Sequence, residues 1–167
     1  RGGTLDFSGL TGDLPISYDL EVVNSTLLSS ATGITSIGRP GTDPARLIIR
    51  GAGATWNAGE TVLVAAALDA GDNPVDLSGA AGALRVSPGG TVNATEIVIG
   101  SGGTVTVETG GQLNGGVTNL GGTLVTGSSP GTLHLDGLNL RGGTLDVELA
   151  GLDETRFDRF VVDGPAA

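Results

Sequence analysis

Apolar and polar residues alternate with period two along most of this chain, and glycine breaks the alternation at short intervals. Successive side chains of a strand point to opposite faces, so the pattern predicts β-strands with one apolar side. It is clearest in Leu145-Asp146-Val147-Glu148-Leu149, where Leu145, Val147 and Leu149 are expected to face in. Leu133-His134-Leu135-Asp136 repeats it, with Leu138 and Leu140 following; Val105 and Val107 face in while Thr104, Thr106 and Glu108 face out. Ile97-Val98-Ile99 and Leu47-Ile48-Ile49 are short apolar runs of strand type. Val62 to Leu68 is the one stretch with helical spacing, and its Gly59 and Gly71 flanks suit a strand equally well. Residues 1–45 are less regular, with strands predicted at Leu5-Asp6-Phe7, from Ile16 to Val22 and from Gly33 to Gly38. Arg39 to Pro44 and Asp69 to Pro74 read as loops.

The glycines are organised. Gly-Gly-Thr-Leu/Val begins at Gly2, Gly89, Gly102, Gly121 and Gly142, which pairs them with Gly3, Gly90, Gly103, Gly122 and Gly143. Chance would give on the order of a tenth of one match, so this is an internal repeat. The later spacings are 13, 19 and 21 residues, and weaker copies stand at Gly110-Gly111-Gln112-Leu113, Gly115-Gly116-Val117 and Gly131-Thr132-Leu133. A coil of a parallel β-helix takes roughly 20 residues, which fits the two longer spacings. Each Gly-Gly is then a structural corner, where glycine tolerates positive φ. The threonine that follows favours extended backbone, and Leu or Val enters the core. The expected fold is all-β: a single-stranded parallel β-helix, or β-solenoid, with irregular coils and Gly-rich corners. It is expected to form one segment over residues 1–167, with less regular coils over residues 1–45 and more regular ones over residues 46–167.

Composition narrows the function classes. Aromatics make up 3% of the chain and Gly is counted 31 times, so the core is narrow and aliphatic. The net charge of −10, with 8 Arg and no Lys, argues against nucleic acid and against an anionic membrane surface. No apolar run is long enough for a membrane helix, so insertion by this segment is not expected. Without Cys, disulfides and thiolate metal sites are excluded. Arg1 opens in the middle of the pattern, so the chain reads as a piece of a longer or tandem-repeated protein.

Candidate chemistry is sparse, and no catalytic residue is assigned. His134, the only histidine, is needed for any Ser-His-Asp triad, yet it sits outward between inward leucines with no nucleophile motif beside it. Asp136, Asp146 and Glu148 are the one carboxylate trio available for cleaving polysaccharide. That enzyme reading lacks both a lysine base and aromatic sugar platforms, so the chain is read as a non-enzyme. No cofactor is expected, with calcium the one exception weighed. Asp69, Asp72, Asn73 and Asp76 gather oxygen ligands in one loop, although turn formation alone explains them. Thr104, Thr106 and Thr109 form an outward threonine row on one strand. Asn24-Ser25-Thr26 and Asn93-Ala94-Thr95 match the glycosylation sequon.

Three segments resemble bacterial autotransporter passenger repeats and related surface β-helix proteins. These are Arg50-Gly51-Ala52-Gly53-Ala54-Thr55-Trp56-Asn57, the run from Val98 to Val107, and Ser129-Pro130-Gly131-Thr132-Leu133 leading into Gly142 to Leu149. Phe157-Asp158-Arg159-Phe160-Val161-Val162-Asp163-Gly164 closes the series. The resemblance implies a right-handed β-helix on a bacterial cell surface or in an extracellular matrix, acting as a structural or adhesive segment. Its partners would be neighbouring solenoid repeats, identical subunits, or a host or matrix surface. Val162-Asp163-Gly164 at one end and Gly2-Gly3-Thr4-Leu5 at the other continue the pattern when read end to start. A tandem repeat unit or filament subunit stacking head to tail is therefore the alternative expectation.

Overall fold

The structure, a computed structural model, describes residues 2–127, 131–149 and 157–166. Ser129 and Pro130 of the third resembling segment lie outside these. The described residues form sixteen strands and no helix. The fold is all-β, and its main element is a twelve-stranded sheet in which every pairing is parallel.

Register divides this sheet into three ladders. The first joins β1 (Thr4–Asp6), β4 (Thr26–Leu28) and the opening residues of β7 (Ala54–Val64), β11 (Gly90–Ile99) and β13 (Gln112–Gly127). Leu5, Leu27, Trp56, Val92 and Leu113 align in it. The second joins β2 (Leu14–Ile16), β5 (Ile34–Ile37), the later residues of β7 and β11, the middle of β13 and the start of β15 (Gly137–Asp146). Ile16, Ile37, Val64, Ile99, Asn119 and Leu140 align there. The third joins β3 (Leu20–Val23), β6 (Ala45–Arg50), β10 (Gly82–Val86), β12 (Gly103–Glu108) and the ends of β13 and β15. Leu20, Leu47, Leu84, Val105, Leu124 and Leu145 align in it. The chain visits the ladders in this order repeatedly. Because β7, β11, β13 and β15 run from one ladder into the next, the sheet curls around one core.

The core consists of the inward columns. Leu27, Ile37, Leu47, Trp56, Val64, Leu84, Val92, Ile99 and Leu124 are all at most 1% exposed. Burial of each such side chain contributes about 1.5–3 kcal/mol, so the columns dominate stability. Two smaller units flank them. β14 (Thr132–Leu135) pairs in parallel with β16 (Arg159–Val162), and β8 (Ala66–Leu68) pairs antiparallel with β9 (Pro74–Asp76). This hairpin leaves the second ladder after Val64, with Ala65 at φ 51°. Leu63, Ala66 and Val98 form a second apolar cluster beneath it, with Leu68 packed against them.

The Gly-Gly-Thr repeat opens strands in two different ladders. Thr4 and Thr91 stand in the first, while Thr104, Thr123 and Thr144 are in register in the third. The spacing of 13 residues is therefore passage between ladders within one turn, and 19 and 21 are whole turns. The expected reason for the glycines needs correction. Of the ten signature glycines, only Gly89 and Gly143 have positive φ, at 77° and 84°. Most of the others are required by close stacking of neighbouring turns. A Cβ on Gly102 would lie 2.0 Å from the Ala80 carbonyl oxygen, and one on Gly103 only 2.4 Å from that of Val64.

Other expectations change too. Val62 to Leu68, read as helix or strand, is strand except at Ala65: through Val64 it continues the second ladder, and from Ala66 it forms the first arm of the hairpin. The strand expected from Ile16 to Val22 is broken at residues 17–19, where the chain turns from the second ladder to the third. Leu140, Val147 and Leu149 are 43%, 40% and 76% exposed, against the inward assignment. After Asp146 the chain leaves the sheet. The buried Asp158 carboxylate accepts the N–H of Glu148 at 2.8 Å and that of Gly131 at 2.8 Å, and this holds residues 147–149 beside the β14–β16 pair.

Candidate functional site

The three ladders differ in the chemistry of their outward faces, where contacts can be made. On the first ladder the outward columns are Thr4, Thr26, Thr55, Thr91 and Gln112, beside Asp6, Leu28, Asn57, Asn93 and Asn114. From Thr26 onward neither column carries a charge. The asparagines stack as an amide ladder: Asn114 Nδ2 donates to Asn93 Oδ1 at 2.7 Å, and Asn93 Nδ2 donates to Asn57 Oδ1 at 2.8 Å. Asn93→Ala removes both bonds and leaves its neighbours open to water, so a loss of about 1 kcal/mol is expected from urea unfolding.

The third ladder carries the ion pairs. Arg46 Nη2 meets Asp19 Oδ2 at 2.8 Å, Arg50 pairs with Glu21, and Arg85 pairs with Glu108. The Arg85 guanidinium beside it holds the Glu108 carboxyl below the usual glutamate range, against a smaller opposing effect of burial. Glu21 is lowered in the same way by Arg50. A carboxyl whose pKa is depressed by folding stabilises the fold above its unfolded pKa and loses that contribution as pH falls through its folded pKa. Urea midpoints are therefore expected to drop on acidification below the usual glutamate range, and Glu108→Gln to flatten that drop. Beyond Arg85, Thr104, Thr123 and Thr144 continue the outward surface on successive turns. The row expected along β12 thus holds for Thr104 and Thr106, while Thr109 lies past the strand's end.

The second ladder carries the hairpin, and with it the four residues considered for calcium. Asp69 Oδ1 accepts the N–H of Gly71 at 2.8 Å and of Asn73 at 3.0 Å, which closes the hairpin turn. These bonds, that to Asn73 foremost, hold the Asp69 carboxyl below its ordinary range. Asp76 points instead to Ser101, accepting its N–H at 2.6 Å and its hydroxyl at 2.9 Å. Asp72 occupies the turn with φ 59°. Among the described residues no three His, Asp or Glu side chains gather around a common point. Of the carboxylate trio, Asp136 lies between β14 and β15, Asp146 ends β15 on the third ladder, and Glu148 lies two residues beyond it. His134 stands outward on β14 with Nδ1 3.8 Å from Asp163 Oδ2, and both side chains are exposed.

Of two buried residues whose side chains form hydrogen bonds, Trp56 falls within the Arg50 to Asn57 segment singled out in the sequence, and Asn119 carries almost no signal there. Asn119, fully buried, accepts the N–H of Gly122 at 2.9 Å and of Gly121 at 3.2 Å, and donates to the Gly122 carbonyl at 3.2 Å. Its only sequence signal is an asparagine two residues before a Gly-Gly pair. Trp56, also fully buried, donates from Nε1 to Ser29 Oγ at 3.0 Å. Comparison with known proteins finds no family model, curated protein or solved structure that matches this chain.

Proposed function

We propose that this chain is a right-handed parallel β-solenoid segment that acts outside a bacterial cell as a structural and adhesive element. The observation that carries the reading is the recurrence of three parallel ladders in fixed order, with outward columns kept in register from turn to turn. Such a stack is stabilised by contacts between neighbouring turns, so its sides are free to vary. Its partner would meet the uncharged Thr/Asn side, where a protein of net charge −10 offers hydrogen bonds without long-range repulsion.

The resemblance of Arg50 to Asn57 and of Val98 to Val107 to autotransporter passenger repeats supports the extracellular setting. The lack of a lysine base and the scarcity of aromatic platforms to serve Asp136, Asp146 and Glu148 favour a non-enzymatic role. Two measurements test the proposal. An antibody raised against the purified chain should label intact source cells or their matrix, and labelling only after permeabilisation would overturn the location. Immobilised chain should retain matrix polysaccharide or protein, and Thr55→Glu combined with Thr91→Glu should abolish retention without changing the circular dichroism spectrum. Retention unchanged in that variant would remove the Thr/Asn side from the proposal.

A further inference from the structure

The hairpin and the second ladder enclose a groove of about 360 Å³. Ile34, Leu63, Ala66, Leu68 and Leu77 make its apolar wall, and Asp13, Ser36 and Arg39 are its polar members. Ser36 pairs in register with Pro15 on one side and Leu63 on the other. It alternates with the inward Thr35 and Ile37, and so faces the groove rather than the core. Ser36 is only 9% exposed, and its hydroxyl has no hydrogen-bond partner. The Ser36 Oγ is covered as the groove stands, and a hydroxyl buried without a partner is costly, so rotation of the side chain toward a ligand group gains a bond at no loss to the protein.

The groove is also polarised. Leu14 is level with Thr35, which places Asp13 beside Ile34 at the start of β5, while Arg39 follows the turn at Gly38 past its end. Neither Asp13 nor Arg39 forms an ion pair among the described residues, although Arg46, Arg50 and Arg85 all do. A carboxylate at one end, a guanidinium at the other, an apolar wall and one unpaired hydroxyl between them define a ligand of matching order. From Ile34 to Ile37 the strand runs roughly 10 Å, and three extended peptide residues span about the same.

We propose that this groove binds a short apolar peptide with free termini. Its ammonium group lies at Asp13 and its carboxylate at Arg39. Its central amide bonds to Ser36 and its apolar side chain lies on Leu63, Ala66 and Leu68. A ligand of this size binds with a Kd on the order of 0.1–1 mM.

The test is amide chemical-shift titration of the labelled chain with alanyl-leucyl-alanine. Shifts centred on Ser36, Leu63, Ala66 and Leu68 are expected. Acetylating the peptide's amine or amidating its carboxylate should each weaken binding about three- to fivefold, as loss of one exposed charge contact does. Asp13→Asn should weaken the free peptide and leave the acetylated one unchanged, and Arg39→Ala should behave likewise toward the amidated one. Ser36→Ala should lower affinity while the melting temperature of the free chain stays the same or rises, a combination that a purely structural hydroxyl would not give. Absence of shifts at ten times the expected Kd overturns the proposal. So does decanoate binding as tightly as the peptide, or Ser36→Ala leaving affinity intact.

Discussion

Trp56→Ala is expected to lower the unfolding free energy by about 3–5 kcal/mol, as loss of a buried indole does elsewhere. Trp56 is fully buried at the middle of the first ladder's inward column, between Leu27 and Val92. No other side chain of the chain approaches its volume there, so the hole spans the layer and its neighbours can collapse only in part. Ser29, buried at 7% exposure, also loses the indole N–H that reaches its Oγ. In a chain of this size the change corresponds to a melting temperature lower by about 10 °C. Calorimetry or circular dichroism measures it, since the variant has no tryptophan to report by fluorescence. Trp56→Phe keeps most of the volume and isolates the hydrogen bond, and should cost about 1 kcal/mol.

The second large effect concerns the corners. Gly103→Ala places a Cβ 2.4 Å from the Val64 carbonyl oxygen, 3.0 Å from that of Gly100 and 3.0 Å from Ile99 Cγ2. Two of these neighbours are backbone and belong to ladder pairs or a tight turn, so relief requires the turns to separate. A loss of about 3 kcal/mol is expected, at the upper end of overpacking costs. Gly116→Ala is the internal control. Its φ is not positive and its added Cβ meets nothing nearer than 3.8 Å, so it should stabilise by about 0.5 kcal/mol through the unfolded chain. Urea midpoints of the two variants must move in opposite directions. Equal destabilisation would mean that the glycines serve strand flexibility and not the stacking of turns.

Strand positions were legible in the sequence wherever alternation is tied to burial, as at Val105, Val107, Leu133 and Leu135. Turn length was legible from the paired glycines, because close approach between turns admits no side chain at those points. The alternation of Leu145 to Leu149 misled for a physical reason: period two tells which residues share a face, but not whether a neighbouring turn covers that face. The break at residues 17–19 was hidden because the chain changes ladders there without a glycine or proline. The groove could not be read at all. Asp13, Ser36 and Arg39 are brought together with Leu63 and Leu68 only by ladder register and by the fold of the hairpin over the sheet.

That hairpin has a consequence for how the protein can change. Asn93 meets Asn57 across 36 residues of chain, and Asn114 meets Asn93 across 21, yet the two amide contacts are 2.8 and 2.7 Å long. Extra chain has thus been accommodated between Val64 and Gly82 while the asparagine ladder keeps its register. Closing a longer excursion costs little entropy, because that cost grows only with the logarithm of its length. The junction is a natural port for grafted sequence: an epitope, an enzyme tag or a second recognition loop could be spliced at residues 69–73 while the stack beneath holds its geometry.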